Sequence, residues 1–166
     1  MEPVDAEEYR RWLGQSEHTL GSAARDARES DYGWACFKAQ QAVEYALKAL
    51  LRAIGDPAVG HSLIKLIEML EARAGISVPE GLRQAARLLD RHYIPPRYPD
   101  AFPSGMPFEF YDASTAAEAL DEARRVVAFV RDQAVALGIE HRNEPPRRGS
   151  EANPEAEPGR APDEKA

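Results

Sequence analysis

Apolar residues recur at steps of three and four in five separate stretches between Asp5 and Gly138, and no stretch alternates apolar and polar residues convincingly over the length of a strand. That pattern predicts an all-α fold, because each stretch has a single stripe to bury and another helix to bury it against. The first helix is expected to start near Asp5, where Asp5-x-x-Glu8 reads as a capping box, and to carry Tyr9, Trp12, Leu13, Leu20, Ala24 and Ala27 on one face before ending near Glu29. The second follows the Asp31-Tyr-Gly33 turn. It sets Cys36, Val43, Leu47, Leu50 and Ile54 on one stripe with Ala35, Ala39, Ala42, Ala46 and Ala49 beside it, small residues that let a neighbouring helix come close. Lys38, Glu44, Lys48 and Arg52 fall along one side and read as a solvated face.

Gly55 and Pro57 stop that helix, and Ser62 opens a third through Leu63, Leu66, Ile67 and Leu70, closed by Gly75. Ser77-x-x-Glu80 is expected to cap a fourth helix with Leu82, Ala85, Ala86 and Leu89. Thr115-x-x-Glu118 is expected to cap a fifth along Ala116, Leu120, Ala123, Val127, Val130, Ala134 and Leu137. The mostly short connections predict an up-and-down antiparallel bundle of about five helices.

One connection breaks the rule. The segment DRHYIPPRYPDAFP, Asp90 to Pro103, belongs to a link running from about residue 93 to 113, whereas links in helical bundles take about 2–8 residues. Tyr93, Tyr98, Phe102, Phe108, Phe110 and Tyr111 supply apolar area that favours burial, and Pro95, Pro96, Pro99, Pro103 and Pro107 reduce the entropy lost on fixing the chain. An ordered proline- and aromatic-rich loop packed on the bundle is the expectation.

From Ile139 onward there is no Leu, Val or aromatic residue, so residues 139–166 are expected to form a disordered Pro/charged tail behind one domain spanning 1–138. A net charge of −7 argues against broad neutralisation of duplex DNA. The lone Cys36 cannot form an internal disulfide, and His18, His61, His92 and His141 are too scattered for a zinc site, so neither metal nor cofactor is expected. The acidic start MEPVDAEEYRRW lacks a secretory signal, and Lys48 interrupts the richest apolar run, so a cytoplasmic protein without a membrane segment is expected.

FKAQQAVEYALKALL on the second helix, VGHSL opening the third and YIPPRYPDAF in the long link form an ordered set that resembles the prokaryotic HEPN domain family across residues 5–135. The resemblance implies a helical bundle that forms homodimers and pairs with a minimal nucleotidyltransferase in a toxin–antitoxin-like system. It also implies either metal-independent ribonuclease activity or binding of nucleotide or RNA. Ribonuclease members carry an Arg with a His a few positions further on. Arg87-Leu-Leu-Asp-Arg-His92 fits that spacing, although Leu88 stands where a polar neighbour is usual. On one helix, residues five apart are rotated by ~500°, equivalent to ~140°, which sets Arg87 and His92 on different faces.

Arg91, Tyr93, Arg97, Tyr98 and Asp100 are the candidate nucleotide- or partner-binding set, since arginine holds phosphate bidentately and tyrosine stacks on bases. Internal pairing of Arg97 with Asp100 is the plain structural alternative. His61 is the further candidate, placed before Ser62 where a helix start favours an anion. The expectation is a binding or partner protein, with the ribonuclease (Arg87, His92) and a purely structural dimerisation module as the alternatives.

Overall fold

The computed structural model describes residues 4–139. The expected tail, apart from Ile139, lies outside the described residues. Five helices account for the bundle: α1 (Ala6–Arg28), α2 (Tyr32–Ala53), α3 (Leu63–Ala74), α4 (Glu80–Asp90) and α5 (Ala113–Ala136). The long link between α4 and α5 holds two 3-10 turns, Pro99–Ala101 and Pro107–Phe110, and among the described residues there is no strand. None of the described helices is long and apolar enough to cross a membrane.

α2 is the centre of the bundle and packs against the other four helices. Its alanines explain how. Ala35, Ala39, Ala42, Ala46 and Ala49 are all fully buried, and the α1 backbone comes near enough for Ser16 Oγ to donate to Ala42 O at 2.6 Å. Cross-pairs run in opposite directions along the two helices, from Asp5 N on Ala53 O to Lys38 Nζ on Ser22 Oγ, so α1 and α2 form an antiparallel hairpin. The stripe expected on α1 needs a correction: Ser16, Thr19 and Ala23 are buried, whereas Leu20 and Ala24 are only partly so. Close helix packing selected small side chains there, a preference that hydropathy does not register.

Two caps differ from expectation. Pro79 is the N-cap of α4 and no side chain caps it, so Ser77 plays no part. α5 starts at Ala113, with Asp112 Oδ1 accepting from Thr115 N and Thr115 Oγ1, both at 2.8 Å. Thr115 is therefore the third residue of the helix rather than its cap. Asp5 does cap α1, accepting from Glu7 N and Glu8 N. The bundle also reaches one residue past the expected boundary, because Ile139 is 3% exposed and its N–H bonds Ala134 O.

The link is held against the start of α2. A Cβ on Gly33 would stand 3.5 Å from the Tyr111 ring and 3.8 Å from Pro96, and Pro96 is buried. Phe102 and Phe110 stack with centroids 4.1 Å apart, and Glu109 accepts from Met106 N, so the loop has internal order. Its apolar area is not all buried, however. Ile94, Tyr98, Met106, Phe108 and Phe110 remain exposed, because among the described residues the loop lies over α2 as a single layer.

Candidate functional site

The site grows from a charged pair that α2 buries. Glu44 and Lys48 are one turn apart with side chains 3% and 10% exposed and Nζ 2.8 Å from Oε1. They were expected on a solvated face. The loop between α2 and α3 folds back over them: His61 sets Nδ1 3.1 Å from Glu44 Oε1, and Gln40 Nε2 donates to His61 O. Gln41 Nε2 donates to the other Glu44 oxygen at 3.0 Å. The carboxylate thus accepts from Lys48, Gln41 and His61, which is how a buried charge avoids the cost of isolation.

The hydrogen bond to Glu44 decides which imidazole nitrogen is free. Nδ1–H donates to the carboxylate, so Nε2 is left for solvent or a ligand, and the His61 side chain is 59% exposed. Its ring lies on Tyr93 at 5.0 Å with 16° between the planes. The start of α3 is closed to a ligand anion. Asp90, at the end of α4, accepts from Leu63 N at 2.8 Å, from Ser62 Oγ at 3.0 Å and from Ile64 N, so this carboxylate occupies the N-terminal N–H groups itself. The same contact ties the start of the link to α3.

Arg97 completes the cluster. Its guanidinium carbon lies 4.4 Å from the Phe37 centroid, 4.6 Å from Tyr93 and 5.0 Å from Tyr98. The Nε–H donates to Tyr93 O at 2.7 Å. No carboxylate pairs with Arg97 among the described residues, and its terminal nitrogens have no acceptor there. Asp100 sits exposed in the first 3-10 turn and makes no ion pair with it.

His61, Tyr93, Arg97 and Tyr98 are therefore brought together. Arg91, the exposed C-cap of α4, stands over no ring. Arg87 and His92 are held by different neighbours: Arg87 pairs with Glu80 at 2.8 Å, whereas the His92 ring meets the Tyr111 ring edge-on at 5.8 Å. Burial, with the nearby Arg91 charge, lowers the His92 pKa, and its Nδ1 has no hydrogen-bond partner among the described residues. Burial also pushes the Cys36 thiol and the Tyr111 hydroxyl up to about 12, so neither is a nucleophile at neutral pH. Among the described residues no group of His, Cys, Asp and Glu could hold a metal ion.

The sequence reading missed Phe37 and Gln41 as members of the site and treated Glu44 and Lys48 as solvated. The signal was present in AVEYALKALL, where an i,i+4 charge pair interrupts an otherwise apolar run.

An all-helical bundle with α2 at its centre and an ordered aromatic link before the last helix defines the class of protein. The HEPN domain model matches residues 9–133, and the chain belongs to the HEPN domain family. Among solved structures it is similar to TT1696 from Thermus thermophilus, with 46% identity, a TM-score of 0.72, and 75% of this chain and 97% of that one covered. An archaeal HEPN homologue is 34% identical with a TM-score of 0.64, covering 75% and 96% of the two chains. An HEPN domain protein from Thermotoga maritima is 30% identical with a TM-score of 0.60, covering 75% and 98%. No curated protein sequence matches the chain.

Proposed function

We propose that this HEPN protein is a binding component rather than a catalyst. In this reading it partners a minimal nucleotidyltransferase in a toxin–antitoxin-like pair and recognises a nucleotide or RNA phosphate at Arg97, with a base against Tyr93 or Tyr98. The observation that carries the reading is the state of Arg97. A guanidinium held over three rings by its Nε–H, with terminal nitrogens free and no carboxylate paired to it among the described residues, is oriented for a phosphate before any ligand arrives. His61 adds a second polar edge, its free Nε2 set by Glu44.

The ribonuclease alternative has less support, since Arg87 is engaged with Glu80 while the His92 ring packs on Tyr111. Titration with uridine and adenosine monophosphates tests the main reading. Arg97→Ala is expected to weaken binding by about tenfold or more, the loss of a hydrogen bond to a charged group. RNA cleavage by the wild type that disappears in His92→Ala would reverse the ranking.

The partner reading extends to a second copy of this chain. Trp34, Ile94, Met106, Phe108 and Phe110 are between 45% and 65% exposed on the link and the adjoining turn of α2, and large apolar side chains exposed together mark an interaction surface. A dimer mass is the expected result of light scattering across a wide concentration range. A monomer mass throughout would remove this part of the proposal.

A further inference from the structure

We propose a second stacking post between α1 and α2, built from Trp12 on α1 with Tyr45 and Arg52 on α2, and infer that a single-stranded oligonucleotide runs between it and the Arg97 cluster. This rests on the reading that Arg97 and its tyrosines hold a nucleotide. The two posts have the same construction. The Arg52 guanidinium carbon lies 4.7 Å over the Trp12 ring, and the Tyr45 ring stands 6.0 Å from Trp12. A cleft of about 290 Å³ opens between Arg11, Trp12, Gln15 and Tyr45. Like Arg97, Arg52 has no carboxylate partner among the described residues, and its Nε is sealed without an acceptor. The Trp12 indole N–H donates to Glu8 Oε2 at 3.1 Å, which fixes the plane of the ring that Arg52 covers.

The posts share a helix face. Trp34, Phe37, Gln41, Tyr45, Lys48 and Arg52 follow at steps of three or four along α2, so they fall on one side of it. From Phe37, under Arg97, to Arg52 the axis advances about 22 Å at about 1.5 Å per residue, the reach of a few nucleotides and too far for one. The acids between the posts are already engaged: Glu44 by Lys48, Gln41 and His61, and Glu8 by Trp12 and Arg11. Lys48 is buried in its pair with Glu44, so what remains is one arginine with aromatic faces at each end of the ridge, posts that hold a flexible strand by stacking and phosphate contact. The two arginines of these posts, on a chain of net charge −7, are too few for a duplex, which needs a continuous basic face. An acidic protein segment would match the arginines but would leave the stacking faces unused.

The test compares uridine monophosphate with oligouridylates of increasing length on the full-length protein, read by titration calorimetry, which reports binding at either post. Affinity is expected to rise with length and level off once the strand reaches both arginines, at one strand per protein chain. Arg52→Ala should lower the affinity of the longer strands by about tenfold or more while leaving the Arg97-dependent binding of the monophosphate and the melting temperature unchanged. With about two phosphates neutralised, affinity should fall only about sevenfold between ~50 and ~200 mM salt. Monophosphate binding without any gain from length, or a gain that survives Arg52→Ala, overturns the second post and leaves the Arg97 reading standing. No binding of monophosphate or strand overturns both. Arg52-dependent binding of oligoglutamate without binding of oligouridylate assigns the face to a protein and also overturns the proposal.

Discussion

Glu44→Ala is expected to destabilise the bundle by about 3–5 kcal/mol, the cost of leaving a buried charge without its partner. Lys48 is the reason. Its side chain is 10% exposed and its ammonium is neutralised inside the fold by Glu44, so removing the carboxylate strands a largely buried cation. The same change frees His61, whose Nδ1 loses its acceptor, and leaves Gln41 one partner fewer. Chemical denaturation of wild type, Glu44→Ala and the double variant Glu44→Leu/Lys48→Met separates the causes. The double variant should recover most of the loss, because an apolar pair of similar volume has no charge to strand. It should not recover ligand binding if His61 must be held in place. A loss below about 1 kcal/mol for Glu44→Ala would mean that water reaches Lys48, as at an exposed pair.

Leu47→Ala should cost about 2–5 kcal/mol through lost transfer energy and the cavity left behind. Leu47 is 1% exposed and belongs to the cluster that also contains Leu50, Leu66, Ile67 and Val127. Because α2 packs against all four other helices, a hole at its centre cannot be filled by moving one neighbour without opening a gap to another. Val135→Ala on α5 is the matched control. That residue is 66% exposed, and the change should stay within about 0.5 kcal/mol. Equal shifts in the urea midpoints of the two variants would contradict this placement of the core.

The residues that build the core could be read directly from spacing. Leu63, Leu66, Ile67 and Leu70 on α3, Leu82, Ala85, Ala86 and Leu89 on α4, and Ala116 to Ala134 on α5 are buried in the periodic pattern that predicted these helices. Hydrophobic burial is area-driven and needs no knowledge of the neighbour, so one-dimensional periodicity carries it. Helix starts were less legible. The fourth and fifth helices open at Pro79 and Asp112 because a cap depends on local backbone angles that several nearby polar residues are able to satisfy.

Of the site, the sequence marked Tyr93, Arg97, Tyr98 and His61 through residue types suited to a ligand, but it could not bring them into contact with α2. That step needed the return of the α2–α3 loop and the α4–α5 link onto one helix face, which placed Phe37 beneath Arg97 and Glu44 behind His61. Arg97 might have been closed off by Asp100 only three residues away; the 3-10 turn at Pro99–Ala101 leaves Asp100 exposed and Arg97 over the rings instead. The sequence by itself determined an all-helical chain, the apolar stripes of α3, α4 and α5, and its family, because each is a property of residues close together along the chain. Only the tertiary structure decided that Glu44 and Lys48 are interior and that Arg97 lies over three rings rather than on Asp100, because burial and pairing depend on which distant segments fold over a residue, and a charge on a helix looks the same in sequence whether water or another loop covers it.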